Sequence, residues 1–178
     1  MSEPVQFMSH FTTVEYALPD PSPLNVHFAE ELAKGRIIGH KCPECGKVYM
    51  PPRGYCPLCV VETTAADEVE VADRGTITTF SVITPLQYQG QQETDDYVQA
   101  TILLDGADTT IMVAHLDGIA IADVHSGLRV QAVWAPEADR GAASGSLARQ
   151  MGLGSAVTSW EATGEPDLPR DHFAEHIV

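Results

Sequence analysis

The chain has 178 residues, of which 44% are hydrophobic and 20% charged, as is usual for a globular protein with room for one small module and one larger core. The formal net charge of −15 is uneven: residues 1–60 carry six acidic and five basic side chains, and residues 61–178 carry nineteen and five, which argues against a nucleic-acid partner. No apolar run approaches the roughly 20 residues of a membrane helix, and residues 1–4 do not begin a secretory signal, so we expect a cytoplasmic protein.

An extended arm and a short helix are predicted first. The arm is predicted over residues 1–24, because Pro4, Pro19 and Pro21 interrupt residues 1–21. The helix is predicted to begin at Asn25, a candidate N-cap, and to stop at Gly35. Its apolar stripe consists of Phe28, Ala29, Leu32 and Ala33. So short a helix is marginal alone, so this stripe packs either on the chain's own core or on a partner chain.

All four cysteines stand in two CxxC pairs, Cys42 with Cys45 and Cys56 with Cys59. Two such turns ten residues apart can surround one tetrahedral ion with sulfur. Disulfides are the alternative, but CxxC doublets in a chain without a signal favour metal. We predict one structural zinc per chain. Iron, as in rubredoxin, is the other candidate, although rubredoxin-like pairs lie much farther apart in sequence.

The segments around the pairs predict a ribbon, which together with the helix makes a module over residues 25–62. Residues 36–40 are predicted as a strand that leads into the first metal turn, and residues 48–50 as its hairpin partner. Gly46 follows the first pair, where a positive φ is often needed. Val60 stands at the equivalent place after the second pair.

From residue 66 the apolar pattern has a period of two, which predicts strands. The predicted strands cover residues 69–71, 76–83, 97–104, 109–115 and 128–134, with turn residues between them. Five strands and little helix indicate a small closed or partly closed barrel, placed in residues 63–160. Residues 84–96 are predicted as a polar loop.

The remainder of the chain is less regular. Residues 139–155 contain four glycines and predict a mobile loop that is not a phosphate loop, since the Gly-Lys-Ser/Thr ending is missing. In this loop an exposed Met151 and Leu153 would suit docking on a partner. Residues 157–160 could form a last strand, and residues 161–178 an acidic tail.

No catalytic residues are predicted. No cysteine remains once four bind metal, and neither an HExxH pair nor a Gly-x-Ser-x-Gly elbow occurs. His115 at a strand end is interpreted as a hydrogen-bonded structural residue. Asp95, Asp96, Asp171 and His172 are interpreted as solvated surface groups.

The order of these motifs resembles one known family. Its members combine a zinc ribbon with an OB-fold, are catalogued as a domain of unknown function (number thirty-five), and are associated with acyl-CoA and thiolases. The resemblance covers about residues 25–135. The matching residues are Phe28, Gly35, Arg36, Cys42, Cys45, Gly46, Pro51, Pro52, Arg53, Cys56, Pro57, Cys59, Gly75, Thr76, Phe80, Ser81 and Val82. The resemblance implies a mainly β protein, with an N-terminal helix and a rubredoxin-like zinc ribbon before a five-stranded OB-fold barrel.

The resemblance also implies a function. Family members are non-catalytic subunits of thiolase-like enzymes, of acyltransferases, or of aldolases that cleave steroid side chains in lipid metabolism. The catalytic subunit acts on a CoA thioester, and the small subunit stabilises the complex and helps to bind CoA. Candidate docking residues are Phe28, Leu32, Leu147 and Met151.

Basic side chains near the ribbon offer a place for the phosphates of CoA. Five of the ten in the chain lie there: Lys34, Arg36, Lys41, Lys47 and Arg53. Lys47 and Arg53 are the candidates for CoA binding. The alternative is that these residues only offset local acids and the net charge of −2 on a zinc tetrathiolate.

Two other functions are considered. An OB-fold can bind single-stranded nucleic acid when aromatic side chains line a basic groove. Phe80 and Tyr97 could stack on bases, but the acidic balance around them opposes it. A freestanding carrier of acyl-CoA is the third possibility.

Overall fold

The computed structural model describes residues 22–85, 95–113, 116–140, 153 and 156–176. Several predictions therefore lie outside the described residues: nearly all of the extended arm, most of the loops at 84–96 and 139–155, and the side chains of His115, Leu147 and Met151. In the described part of the chain, no helix has both the length and the apolarity needed to cross a membrane.

Helix α1 spans Pro23–Ala33, with Ser22 as its N-cap. It begins earlier than predicted from Asn25, because proline at the first helical position has its φ already set and needs no hydrogen-bond acceptor for a backbone N–H. Gly35, at φ 81°, ends the helix as predicted. Phe28 and Leu32 are each 2% exposed and lie in the chain's own core, which corrects their assignment as partner-docking residues.

Four short strands build the ribbon as two hairpins: β1 (Ile37–Lys41) with β2 (Val48–Tyr49), and β3 (Tyr55–Cys56) with β4 (Val61–Glu62). The first hairpin was predicted and pairs His40 with Tyr49. Strand β5 (Glu68–Val71) then pairs antiparallel with the other edge of β1. The ribbon sheet therefore has the order β2-β1-β5, and β5 is not one of the five strands of the barrel sheet, contrary to prediction.

A five-stranded sheet forms the barrel. Its strands are β6 (Arg74–Ile83), β7 (Tyr97–Leu104), β8 (Thr110–Val113), β9 (Arg129–Trp134) and β10 (Val157–Ala162). Their order is β10-β9-β6-β7-β8, with all pairs antiparallel. A parallel bridge from Leu116, just beyond β8, to Trp160 in β10 draws the two edges of the sheet together. Strand β10, which was considered as a last strand over residues 157–160, is thus the fifth strand of the sheet.

The helix, the ribbon and the barrel share one hydrophobic core. Members from all three parts include Phe28, Leu32, Ile37, Ile38, Met50, Ile77, Ile102, Val130 and Trp160. Leu153, expected to be exposed for docking, is 3% exposed and belongs to this core, which corrects that expectation. A further helix, α2, spans Glu137–Arg140.

Four hydrogen bonds fix the ribbon to the turn between β7 and β8. The backbone N–H of Val48 donates to the Asp108 carboxylate at 2.8 Å, and the Asp108 N–H donates to the Val48 carbonyl at 2.8 Å. The Thr109 hydroxyl accepts from the Met50 N–H at 2.9 Å and donates to the Met50 carbonyl at 2.7 Å. Backbone groups of the ribbon therefore attach it to the barrel.

Residues 163–176, here called the C-terminal segment, pack on the barrel, which corrects the prediction of an acidic tail. Phe173 is 3% exposed, and the Leu168 N–H donates to the Gly127 carbonyl at 3.0 Å. Glu165 accepts a hydrogen bond from Arg129, a side chain only 7% exposed that also binds Asp105. Short 3₁₀ turns follow at Arg170–His172 and Ala174–His176.

Candidate metal centre

The two CxxC turns bring four sulfur atoms together. The Sγ atoms of Cys42, Cys45, Cys56 and Cys59 all lie within 4.8 Å of one another, and those of Cys45 and Cys56 are 3.8 Å apart. A tetrahedron of sulfurs at the usual Zn–S distance of about 2.3 Å has edges of about 3.8 Å. The cluster therefore has the donor type and the size of a tetrathiolate zinc site.

Both turns have the same backbone design. The N–H of Cys45 donates to Cys42 Sγ and that of Cys59 to Cys56 Sγ, each at 3.4 Å. The residue after each pair closes the turn by donating its N–H to the carbonyl of the first cysteine. These residues are Gly46, at φ 73°, and Val60, at φ 58°. The positive φ expected at Gly46 is confirmed, and Val60 adopts it as well.

The four sulfurs differ in exposure and in charge. Cys42 and Cys56 are buried, Cys59 is half-buried and Cys45 is exposed. Burial would raise the pKa of Cys56, but the N–H of Cys59 and the Tyr49 hydroxyl outweigh it and lower that pKa to about 6. The hydrogen bond that the Cys59 thiol donates to the Cys45 sulfur, together with burial, raises the pKa of Cys59 to about 12. Without a metal, the cluster therefore favours the thiolate form of Cys56 and the thiol form of Cys59.

Tyr49 touches this charge directly. Its hydroxyl lies 3.5 Å from Cys56 Sγ, the residue is 6% exposed, and the Arg53 guanidinium lies 6.0 Å from the ring centroid. The hydrogen bond with Cys56, together with burial, raises the pKa of Tyr49 above its ordinary value, so the phenol keeps its proton. Sequence reasoning missed this residue; a polar-tipped side chain between two apolar ones, Val48 and Met50, was the available signal.

Most of the basic side chains near the ribbon have acidic partners. Lys34 and Arg36 both bind the buried Glu31 at 2.7 Å, and Lys47 lies 3.6 Å from Asp108. Arg53 lies over Tyr49. For the first three residues the structure favours the alternative that they offset local acids.

A shallow cavity of about 500 Å³ lies beside the first metal turn. Its lining contains Lys41 but also Glu44, Asp67 and Glu68. Because three carboxylates outnumber one ammonium group, this cavity would repel the phosphates of CoA.

Phe80 and Tyr97 do not form one stacking platform. Phe80 is paired with Ala100 and Tyr97 with Ile83 in the β6–β7 ladder. Since neighbouring positions of a strand face opposite sides of a sheet, Tyr97 and Phe80 lie on opposite faces. This arrangement weighs against the nucleic-acid alternative.

Three histidines of the described chain make contacts of a structural kind. His27 binds Glu68 at 2.7 Å, and His125 binds Asp167 at 2.8 Å. His40 is buried, with Nδ1 3.1 Å from the Thr63 hydroxyl, and burial lowers its pKa. Asp95, Asp96, Asp171 and His172 are exposed, as predicted.

Comparisons with known proteins agree with this architecture. Residues 29–62 match the family model described as "ChsH2, rubredoxin-like zinc ribbon domain", and residues 68–135 match "ChsH2, C-terminal OB-fold domain". A DUF35 domain-containing scaffold protein from Methanocaldococcus jannaschii is 34% identical over 101 residues, which cover 55% of this chain and 67% of that protein.

Two solved structures share the fold. One is a DUF35-family protein of unknown function from Sulfolobus solfataricus, with 22% identity and a TM-score of 0.50 over 62% of this chain and 78% of the other. The second is described as "Ltp2-ChsH2(DUF35) aldolase", with 20% identity and a TM-score of 0.53 over 82% of this chain and 98% of the other. At these identities the likeness concerns the fold.

Proposed function

The chain belongs to the DUF35 family of zinc-ribbon and OB-fold proteins, and from this premise we propose that it is a non-catalytic scaffold subunit of a thiolase-superfamily enzyme that acts on acyl-CoA. The observation that carries the proposal is the closed cluster of four cysteine sulfurs, fixed to the barrel by the backbone of Val48 and Met50. Four sulfur ligands fill a tetrahedral shell, so a bound metal would have no position for substrate or water.

Zinc fits this site by donor type and by size, and we propose one ion per chain with a structural role. Zinc would supply the cross-link between the two turns. Cys42, Cys45, Cys56 and Cys59 would hold it, while the N–H groups of the turns stabilise their thiolates.

A separate catalytic partner is supported by the names of relatives. One relative is called a scaffold protein, and one structure with this fold is named an aldolase with a second component, Ltp2. We propose that the partner supplies the residues that form or cleave a carbon–carbon bond, in a cytoplasmic enzyme of the thiolase, acyltransferase or steroid side-chain aldolase type. Among the described residues, large apolar side chains remain exposed at Tyr55, Leu58 and Val60, and we propose that the partner covers them.

Contact with CoA is assigned to Arg53 first. Its guanidinium is exposed and lies over an aromatic ring, so it can turn toward a phosphate without losing a carboxylate partner in the described chain. Lys47 would have to leave Asp108 to do the same. Docking through Leu147 and Met151 also remains part of the proposal.

Copurification from the native cell tests the function. We expect a stoichiometric thiolase-like protein with the tagged chain, and turnover of an acyl-CoA thioester only when both are present. The double variant L147D/M151D should weaken the complex while the zinc content stays unchanged. Deleting the whole loop is a poorer test, because Leu153 belongs to the core.

Three results would contradict the proposal. Turnover of a thioester by the isolated chain would make it an enzyme. Acyl-CoA bound without any protein partner would favour a freestanding carrier. Retained nucleic acid without a thiolase-like protein would favour the OB-fold binder.

A further inference from the structure

We propose that Tyr49 is a positioning residue for the metal: its hydroxyl donates a hydrogen bond to the thiolate of Cys56 and thereby sets the electron donation of that sulfur. The inference goes beyond the scaffold function and does not depend on any partner. It concerns only how the ribbon holds its ion.

The backbone places the phenol with little freedom. Tyr49 lies in β2, opposite His40 of β1, and its ring packs in the small cluster that contains Cys42 and Cys56. The guanidinium of Arg53, an exposed residue, lies over the ring at 6.0 Å from its centroid. A side chain held this firmly can direct its hydroxyl at one acceptor without losing much rotational entropy on doing so.

Cys56 must be the acceptor of this hydrogen bond when it binds a metal. A cysteine that binds metal does so as a thiolate and carries no proton. The contact of 3.5 Å between the Tyr49 oxygen and Cys56 Sγ can then exist only with the hydroxyl as donor. Hydrogen bonds to a charged acceptor are roughly twice as strong as neutral ones.

Cys56 is singled out among the four ligands. Each CxxC turn gives its first cysteine a backbone N–H, but within the described chain Tyr49 is the one side-chain hydroxyl at hydrogen-bond distance from any of these sulfurs. Cys56 is fully buried, whereas Cys45 is exposed. The structure thus pairs a buried, hydrogen-bonded ligand with an exposed one.

Two consequences follow for a bound metal. A hydrogen bond withdraws charge from the sulfur, so the energy of sulfur-to-metal charge transfer rises. It also fixes the orientation of the ligand, and loss of such an outer contact typically costs about 10–100-fold in metal affinity. A residue that served only to fill space would affect neither property once its volume is kept.

The test compares Y49F with Y55F. Both remove one phenolic oxygen and keep the ring. Tyr55, however, is 53% exposed beside Cys56 and makes no hydrogen bond to a cysteine sulfur in the described chain. With Co²⁺ in the site, we expect the sulfur-to-cobalt band of Y49F to move to lower energy. Chelator competition should show a loss of zinc affinity of about tenfold. Y55F should match the parent protein in both measurements.

An unchanged band and affinity in Y49F would overturn the proposal, and so would equal changes in the two variants. Replacement of Tyr49 by 3-fluorotyrosine gives the converse measurement, because a more acidic phenol is a better donor. Its cobalt band should move to higher energy, and the absence of that shift would also overturn the proposal. The fluorinated protein still tests the proposal if Y49F folds poorly, since it keeps both the ring and the hydroxyl.

Discussion

Val60 occupies the position after the second metal turn that Gly46 occupies after the first, and both have a positive φ. For a β-branched residue this conformation is strained, by about 1–2 kcal/mol relative to the right-handed region. Val60 is also 83% exposed, so packing in this chain returns little of that cost. The backbone of the CxxC turn therefore overrides the preference of the residue.

The substitution V60G should stabilise the zinc-loaded protein. Glycine removes the strain but gains entropy in the unfolded chain of about 0.5–1 kcal/mol, so we expect the free energy of unfolding to rise by roughly 0.5–1 kcal/mol. Denaturant unfolding with zinc present measures it.

The reverse substitution, G46V, is the matched control. A Cβ at Gly46 would have only the Lys41 Cε nearby, at 3.9 Å, so its cost is a backbone cost. By the same two terms, it should lower the free energy of unfolding by roughly 0.5–1 kcal/mol. Destabilisation by V60G would contradict this account, because it would show that the Val60 side chain stabilises the folded protein by more than its backbone strain costs.

Single residues were predictable where the chemistry is local. The four cysteines and the positive φ at Gly46 follow from motif and spacing. The burial of Phe28 and Leu32 was left open by the sequence, because an apolar stripe has the same spacing whether it faces the core or a partner. The role of Tyr49 depends on the fold of the hairpin, which determines the position of its hydroxyl relative to Cys56.

At the scale of elements, the C-terminal segment is fixed by side chains from several strands and turns. Glu165 binds Arg74 and Arg129, and Asp167 binds His125. The hydrogen bond to the Asp123 carbonyl, followed by that to the Asp167 carboxylate, raises the pKa of His125. Part of the attachment of this segment is therefore sensitive to pH.

The stability that His125 contributes should be lost as pH rises. Its folded pKa lies above the unfolded value of about 6.5, so the contribution is complete below pH 6.5 and disappears as pH passes through the folded value. Because His125 and Asp167 are both about half exposed, the effect should stay below about 1 kcal/mol. Hydrogen exchange at the Leu168 amide, corrected for the intrinsic rate, should quicken as the pH rises above about 6.5.

D167N provides the control for this effect. It keeps the shape of the side chain but removes the charge that faces His125, so the dependence of exchange on pH should shrink. The Asp123 carbonyl contact would remain. An identical pH dependence in both proteins would show that the ion pair does not hold the segment.

Strands were predicted correctly where the local sequence pattern defines their bounds. They were predicted poorly where the pairing partner decides which sheet a strand joins. Strand β7 has its predicted bounds, Tyr97–Leu104. Strand β5 alternates valine with glutamate, a pattern that suits the ribbon sheet and the barrel sheet equally, so its partner β1 was not predictable. The C-terminal segment has few apolar residues, and its attachment depends on partners far away in sequence.

For the whole molecule, removal of the metal should act on the ribbon first. A structural zinc supplies on the order of 10 kcal/mol to the folding of its module, whereas β6–β10 contain no metal ligand. After chelation under reducing conditions we expect hydrogen exchange to accelerate in β1–β4 before it does in β6–β10. The fluorescence of Trp160, buried in the barrel, should change later.

Because the ribbon and the barrel share one core, unfolding of the ribbon should also destabilise the barrel. Ile37 and Ile38 of the ribbon pack with barrel residues, so their departure should lower the denaturant midpoint of the barrel. Loss of protection in all strands at the same rate would show one cooperative unit with no ribbon-first step.

The architecture as a whole was predictable, but the way its parts join was not. Two CxxC pairs followed by alternating strands indicate a ribbon and a barrel in that order. The common core and the contacts of Asp108 and Thr109 with the ribbon connect residues about 60 positions apart, and periodicity does not report such distances.

Because β5 pairs with β1, a cut in the sequence between the ribbon module and the barrel would separate two paired strands. A fragment that starts at residue 63 would keep β5 with a bare edge and would lose the partner groups of Asp108 and Thr109. Unpaired edges of this kind are templates for association between chains. Swapping ribbons among relatives should therefore succeed only when the exchanged piece runs through Val71 and the β7–β8 turn is exchanged with it.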